Sequence, residues 1–185
     1  MKFIHVVLLL FYTSMSAAQI LKPAKWSVSA STTTAKPGDV VEIILTAAID
    51  EGWYLYANDF DADCGPLLTT VDFTDVKNYA LVGGLVAINA QTKHDEAFGC
   101  DVKIFKKQAT FKQKIKVLRT PLQVAGIIQG QVCTTLDGRC IPFEEDFVFD
   151  GLTVEISTAK TDNTPTVKPT VLPAPDTTQK TATTT

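Results

Sequence analysis

The chain is poor in the residues that most enzymes use for metal or acid–base chemistry. It has two histidines, and only His94 lies beyond the first 18 residues. No two of its four cysteines are spaced Cys-x-x-Cys, which together with the single remaining histidine disfavours a zinc site. A Cys–His hydrolase would need His94 beside a free thiol, which an even cysteine count in an exported chain disfavours. Basic residues are not clustered, which argues against nucleic acid and against an anionic membrane surface. No apolar run is long enough to span a bilayer as a helix, and no segment keeps a helical period for ten residues.

What is present begins with an export signal. Lys2 precedes the apolar run Phe3 to Tyr12, and Ser16-Ala17-Ala18 offers small residues for cleavage. Residues 1–18 are therefore expected to be a signal peptide, with the mature chain beginning at Gln19. The whole chain carries a formal charge of −3; Lys2 is the only charge in its first 18 residues, so the remainder carries −4. Residues 19–157 suffice for one domain with a single core. Residues 158–185 are rich in Thr and interrupted by Pro165, Pro169, Pro173 and Pro175, a composition expected of a disordered linker or tail. Such a tail either ends a free-standing protein or leads to further parts, a membrane domain among them.

The region between reads as β-structure. Trp26, Val28 and Ala30 alternate with Ser27, Ser29 and Ser31. Lys36-Pro-Gly-Asp39 is a turn before the apolar run Val40 to Ala48, which suits a buried strand. In Ala109 to Val117, residues 109, 111, 115 and 117 are expected to face inward, and three lysines and Thr110 outward. Ile128, Gly130 and Val132 lead into Cys133; Phe143, Phe147 and Phe149 share one parity after Cys140; Val154 and Ile156 close the series. Many short strands punctuated by Gly, Pro and Asp predict an all-β, immunoglobulin-like antiparallel sandwich.

The most informative segment is Gln131 to Phe143. Asp137-Gly138 is a turn signal between two strand-like flanks, and reversal there brings Cys133 to Cys140. A disulfide closing so short a loop contributes only about 2.5 kcal/mol of unfolded-state entropy, so it is a modest staple that can open without disturbing a core. Four cysteines allow three pairings. If Cys64 pairs with Cys100, the longer loop gives about 3.8 kcal/mol, suited to a structural bridge. Asp59, Asp61 and Asp63 alternate like part of a calcium loop, but Cys64 and Thr70 stand where its glycine and bidentate glutamate belong. A solvated acidic loop is the better reading, and no metal or other cofactor is expected. Tyr54 and Tyr56 are either strand packing or a platform beside the sulfurs. Lys93 to Gly99 is either an ordinary turn or a loop carrying an aromatic lid and two carboxylates.

Together, Glu51-Gly-Trp-Tyr-Leu-Tyr56, Asp95-Glu-Ala-Phe-Gly99, Gly130-Gln-Val-Cys133 and Arg139-Cys-Ile-Pro-Phe143 resemble the N-terminal periplasmic domain of the thiol:disulfide interchange protein DsbD. The resemblance runs from roughly Ala24 to Ile156. It implies an immunoglobulin-like domain in the periplasm, and the chain is expected to be a monomer. Such a domain takes electrons from a thioredoxin-like domain and passes them to periplasmic disulfide isomerases or to thioredoxin-like proteins of cytochrome c maturation. It implies Cys133 and Cys140 as the redox pair, Tyr54 and Tyr56 as the platform, and Asp95, Glu96, Phe98 and Gly99 as a cap loop. Phe98, or alternatively Ala97, is then the cap aromatic. Two departures stand out: six residues separate the redox cysteines, and Cys64 and Cys100 are additional. They read as a structural disulfide holding one end of the cap loop, or as a second redox pair. Neighbouring Arg139 favours Cys140 as the sulfur that bonds a partner, although Asp137 opposes it. The rival readings are a non-catalytic immunoglobulin-like binding module with two structural disulfides and a calcium-stabilised surface domain.

Overall fold

Alternation of apolar and polar residues at period two is clean over Ala24–Ala30, Thr70–Thr74 and, apart from Gln113, Gln108–Val117 of the computed structural model, which describes residues 21–155. The expected signal peptide, the Thr/Pro-rich tail and Ile156 lie outside the described residues. The fold is the expected immunoglobulin-like β-sandwich. One sheet has the order β1 (Ala24–Ala30), β3 (Val40–Ile49), β9 (Gln108–Val117) and β6 (Tyr79–Ala87), all antiparallel. The other runs β11 (Cys140–Phe149), β10 (Val124–Thr134), β4 (Trp53–Tyr56), β8 (Cys100–Lys106) and β7 (Gln91–Asp95). In that second sheet, β5 (Thr70–Thr74) shares one edge of β10 with β4: residues 125–129 pair with β5 and 132–134 with β4. A short parallel pair, β2 (Thr34–Ala35) with β12 (Thr153–Val154), adds to the antiparallel scheme.

The core between the sheets is built from Ile43 and Leu45 of β3, Phe111 and Ile115 of β9, Leu55 of β4, Phe105 of β8, and Val124, Ile128 and Val132 of β10. Phe111 anchors it, edge-on to Phe105 with ring centroids 5.2 Å apart and tilted against Trp26 at 6.0 Å. The apolar run at Val40 to Ala48 is buried on one face only, alternating along β3. In β9 the inward parity includes Gln113 between Phe111 and Ile115. This polar residue is explained by the facing strand. The register of β6 shifts between Val82 and Val86, Gly83 has a φ of +68°, and the Gln113 amide reaches the freed carbonyls of Val82 and Gly83 at 3.3 and 3.2 Å.

A second, smaller cluster lies on the outer face of the second sheet. Tyr54 and Tyr56 flank Leu55, and Cys133 follows Val132, so strand alternation sends these side chains away from the main core. With Val102 and Ile104 they are buried, covered by Phe60 and by the sulfur-bearing residues Cys64, Cys100 and Cys140. Val132, Cys133 and Thr134 are all buried because β10 is covered there on both faces.

Gly130 links the two clusters. A Cβ there would lie 2.9 Å from both the Phe143 ring tip and Thr69 Oγ1. Thr69 is fully buried and its hydroxyl donates to the Tyr56 carbonyl at 2.6 Å. Gly130→Ala is expected to lower the free energy of unfolding by about 1–3 kcal/mol through overpacking. Gly84→Ala, at a site open to solvent, should change it by no more than about 0.5 kcal/mol. Denaturant midpoints of the two variants check this.

Candidate functional site

The β10–β11 hairpin sets Cys133 opposite Cys140 with Cα atoms 4.1 Å apart, and the two sulfurs are bonded. One residue nearer the turn, the Thr134 N–H donates to the Arg139 carbonyl at 2.9 Å, so the cysteines occupy the closely spaced, non-hydrogen-bonded position of the ladder. The turn is held from within and from outside. Gly138 takes a φ of +70°, the Arg139 N–H donates to Asp137 Oδ1 at 3.1 Å, and the Leu136 N–H donates to Thr134 Oγ1 at 3.1 Å. The N–H and hydroxyl of Thr135 both donate to the Gly52 carbonyl, at 2.8 and 3.2 Å.

The two sulfurs are not equivalent. Cys133 is 0% exposed, and the Gln131 side-chain amide donates to its sulfur at 3.4 Å while accepting from the Leu67 N–H at 3.3 Å. Cys140 is half-buried and lines a cavity of about 440 Å³ together with Tyr54, Tyr56, Lys93, Asp95 and Phe98. Arg139 lies 3.5 Å from Asp137 in an exposed ion pair, so the two charges weighed for Cys140 face each other. Exposure, rather than charge, distinguishes Cys140.

Across the cavity the β7–β8 hairpin carries residues 96–99 as its turn. Asp95 and Glu96 play different parts there. Glu96 is exposed, whereas Asp95 ends β7, is buried, and anchors the turn. Its carboxylate accepts from the Tyr56 hydroxyl at 2.9 Å, Lys93 Nζ at 3.1 Å and the Ala97 N–H at 3.2 Å, and its carbonyl accepts from the Gly99 N–H at 2.7 Å. Burial alone would raise the Asp95 pKa, but the hydrogen bonds from Tyr56 and Lys93 and the charge of Lys93 outweigh it and hold the carboxyl below its usual range. The Tyr56 phenol is pushed far up, first by burial and then by its hydrogen bonds with Tyr54 and Asp95. Burial would lower Lys93, yet the bond to Asp95 prevails and keeps it raised. The Lys93 ammonium also stands 4.8 Å from the centre of the Tyr54 ring, which meets Tyr56 edge-on at 5.4 Å.

The turn is strapped at its other end. Cys100, opposite Asp95 in the ladder, is bonded to Cys64, and their Cα atoms are 6.0 Å apart. Phe98 is 41% exposed, and its ring rests on Gly65, where a Cβ would come within 2.5 Å of Phe98 Cδ1. Phe98 thus borders the cavity that Cys140 lines, seated on the segment after Cys64. Ala97 lines the cavity too. Asp59 is paired with Lys103, and Asp61 accepts from the Asp63 N–H at 3.0 Å to cap the 3-10 turn Ala62–Cys64, so two of the three alternating aspartates serve the local fold. His94 is exposed and bonded to Asp101 at 2.8 Å. Lys93, Gln131, Gly65 and Thr69 were not singled out by sequence. Lys93 and Gln131 each sit two positions from a site residue on the same strand face, a signal that was available.

The fold is an antiparallel sandwich with one cysteine pair bonded across a hairpin and a second bonded pair beside it. The family described as thiol:disulfide interchange protein DsbD, N-terminal, matches residues 17–152, and the chain belongs to that family. No curated protein matches the chain in sequence. Among solved structures, the N-terminal periplasmic domain of ScsB from Proteus mirabilis is 14% identical with a TM-score of 0.50, over 70% of this chain and 47% of that one. The chain thus spans about half the length of that structure. The reduced DsbD N-terminal domain from Neisseria meningitidis is 18% identical with a TM-score of 0.45, covering 68% of this chain and 85% of that one. The DsbD N-terminal domain in complex with the PilB N-terminal domain, also from Neisseria meningitidis, is 14% identical with a TM-score of 0.42, over 66% and 80%.

The lowered Asp95 pKa has a pH signature. Its contribution to stability is present above the ordinary carboxyl range near pH 4 and is lost as pH falls through the depressed native value. Asp95→Asn is expected to cost about 1–3 kcal/mol at pH 7, with the gap to the parent protein narrowing as pH falls below the ordinary carboxyl range. Denaturation midpoints of both proteins at neutral and at acid pH decide it.

Proposed function

We propose that this chain is an exported exchange domain that relays electrons through Cys133 and Cys140, from a thioredoxin-like donor to oxidised periplasmic proteins. The acceptors would be disulfide isomerases or thioredoxin-like proteins of cytochrome c maturation. Residues 1–18 would direct export, and 158–185 would serve as a spacer. The reading is supported by family membership and, above all, by the unequal exposure of the two bonded sulfurs.

In the first half-reaction the donor thiolate attacks Cys140 Sγ, forming a mixed disulfide and releasing Cys133 as a thiolate. The Gln131 amide N–H, already directed at Cys133 Sγ, would ease the burial of that charge. The donor's second thiolate then attacks its own bonded sulfur and releases Cys140. Two electrons and two protons have moved, leaving the donor oxidised and both cysteines here as thiols. In the second half-reaction the Cys140 thiolate attacks an oxidised acceptor, and Cys133 resolves the mixed disulfide, restoring the Cys133–Cys140 bond. The Cys64–Cys100 bridge and the Asp95 anchor would hold the cap turn while Tyr54 and Tyr56 form the floor. Phe98 and Glu96 would limit access by stray thiols.

The test uses single-cysteine variants and a thioredoxin variant whose one active-site cysteine carries an aromatic thiol leaving group. Cys133→Ala, which keeps Cys140, is expected to accumulate the mixed disulfide at least about tenfold faster than Cys140→Ala, which keeps only the buried sulfur. Equal rates, or a faster reaction at Cys133, would overturn the assignment of Cys140 as the attacked sulfur. No mixed disulfide with either variant would favour a binding module with two structural bridges.

A further inference from the structure

Leu136 is 87% exposed, although it lies on a loop that the protein otherwise takes care to fix. The loop joins the two bonded cysteines. Thr135 and Gly138, on either side of Leu136, line the cavity that holds Cys140, while Leu136 projects into solvent. Its backbone N–H is bonded to Thr134 Oγ1, and Thr135 is tied twice to the Gly52 carbonyl. The side chain only grazes Gly52, where a Cβ would lie 3.9 Å from Leu136 Cδ1. The loop therefore presents an isobutyl group at a fixed place and gives it little to pack against.

The surface over Leu136 follows from the chemistry next to it. A mixed disulfide with Cys140 brings the partner's Cα to within about 4.4–6.8 Å of Cys140's own. Leu136 is four residues from Cys140, and four residues of chain reach at most about 14 Å. A protein contact of ordinary size covers about 800 Å² per side, a disc of roughly 16 Å radius. A protein bonded to Cys140 and centred there covers Leu136, whereas a small thiol does not reach it.

Resting on the reading of Cys133–Cys140 as the exchanging pair, we infer that Leu136 is a recognition residue for protein partners, selecting those whose reactive cysteine is bordered by apolar surface. An exposed leucine costs nothing until it is covered. Once covered, it favours an apolar neighbour and disfavours a charged one, which would lose water without gaining a bond. Phe98, an exposed large apolar residue that does line the cavity, adds apolar surface on the side of the 96–99 turn.

The experiment compares reduction of the oxidised protein by reduced thioredoxin and by dithiothreitol, for the parent chain, Leu136→Ser and Leu136→Met. With thioredoxin, Leu136→Ser is expected to lower the second-order rate constant about tenfold, the factor that covering one leucine supports, and Leu136→Met is expected to restore most of it. With dithiothreitol all three should agree within about twofold, and their thermal midpoints should coincide, since the side chain is exposed. A thioredoxin rate indifferent to Leu136, or one that falls in step with the dithiothreitol rate, overturns the inference alone. A parent pair that neither reagent opens in the folded protein overturns the exchange reading and this inference with it.

Discussion

A one-residue slip of β10 would turn Cys133 into the sandwich interior and Val132 out of it, and the site depends on that register. Three strands enforce it. Residues Val124 to Cys133 pair with β11, residues 125–129 with β5, and residues 132–134 with β4. The same register sets Cys133 opposite Cys140 on one side and opposite Tyr54 on the other. The bonded pair and its tyrosine neighbours are thus products of sheet pairing rather than of a flexible loop. This gives the proposed reaction a reproducible geometry.

Placing the pair on the outer face of a sheet separates its chemistry from the stability of the fold. The main core is formed by Phe111, Leu45, Ile128 and their neighbours between the sheets, whereas the sulfurs belong to the smaller cluster outside. The inter-sheet packing includes neither Cys133 nor Cys140. Only the half-buried Cys140 lines the cavity that the turn at residues 96–99 borders. Two unlike devices hold the turn at residues 96–99: the buried Asp95 with its donors Tyr56, Lys93 and Ala97, and the Cys64–Cys100 bridge at the ladder position opposite Asp95.

Much of this was legible in the sequence where a single periodicity or a turn signal carried the information. The alternation of β1 and β9, the Asp137-Gly138 reversal and the class of fold were of that kind. The inward Gln113 was missed because its reason lies in another strand: the bulge at Gly83 leaves carbonyls that the Gln113 amide reaches. Pairing of β2 with β12 is parallel and joins residues more than a hundred positions apart, beyond the reach of local pattern. Asp95 read as one of two carboxylates on a cap, since adjacent acidic residues look alike in sequence. Strand alternation makes one an interior anchor and leaves the other in water. The seat of Phe98 on Gly65 depends on the Cys64–Cys100 bridge, which brings distant segments together.

The central claim is that one disulfide is poised for exchange while the other supports the fold. It is tested most directly by titrating the oxidised protein with reductant, alkylating the thiols that appear, and mapping them by mass while following the strand signal by circular dichroism. Cys133 and Cys140 should become labelled first, with the strand signal intact and Cys64 and Cys100 still bonded. Labelling of all four cysteines together, only as the strand signal is lost, would contradict the account.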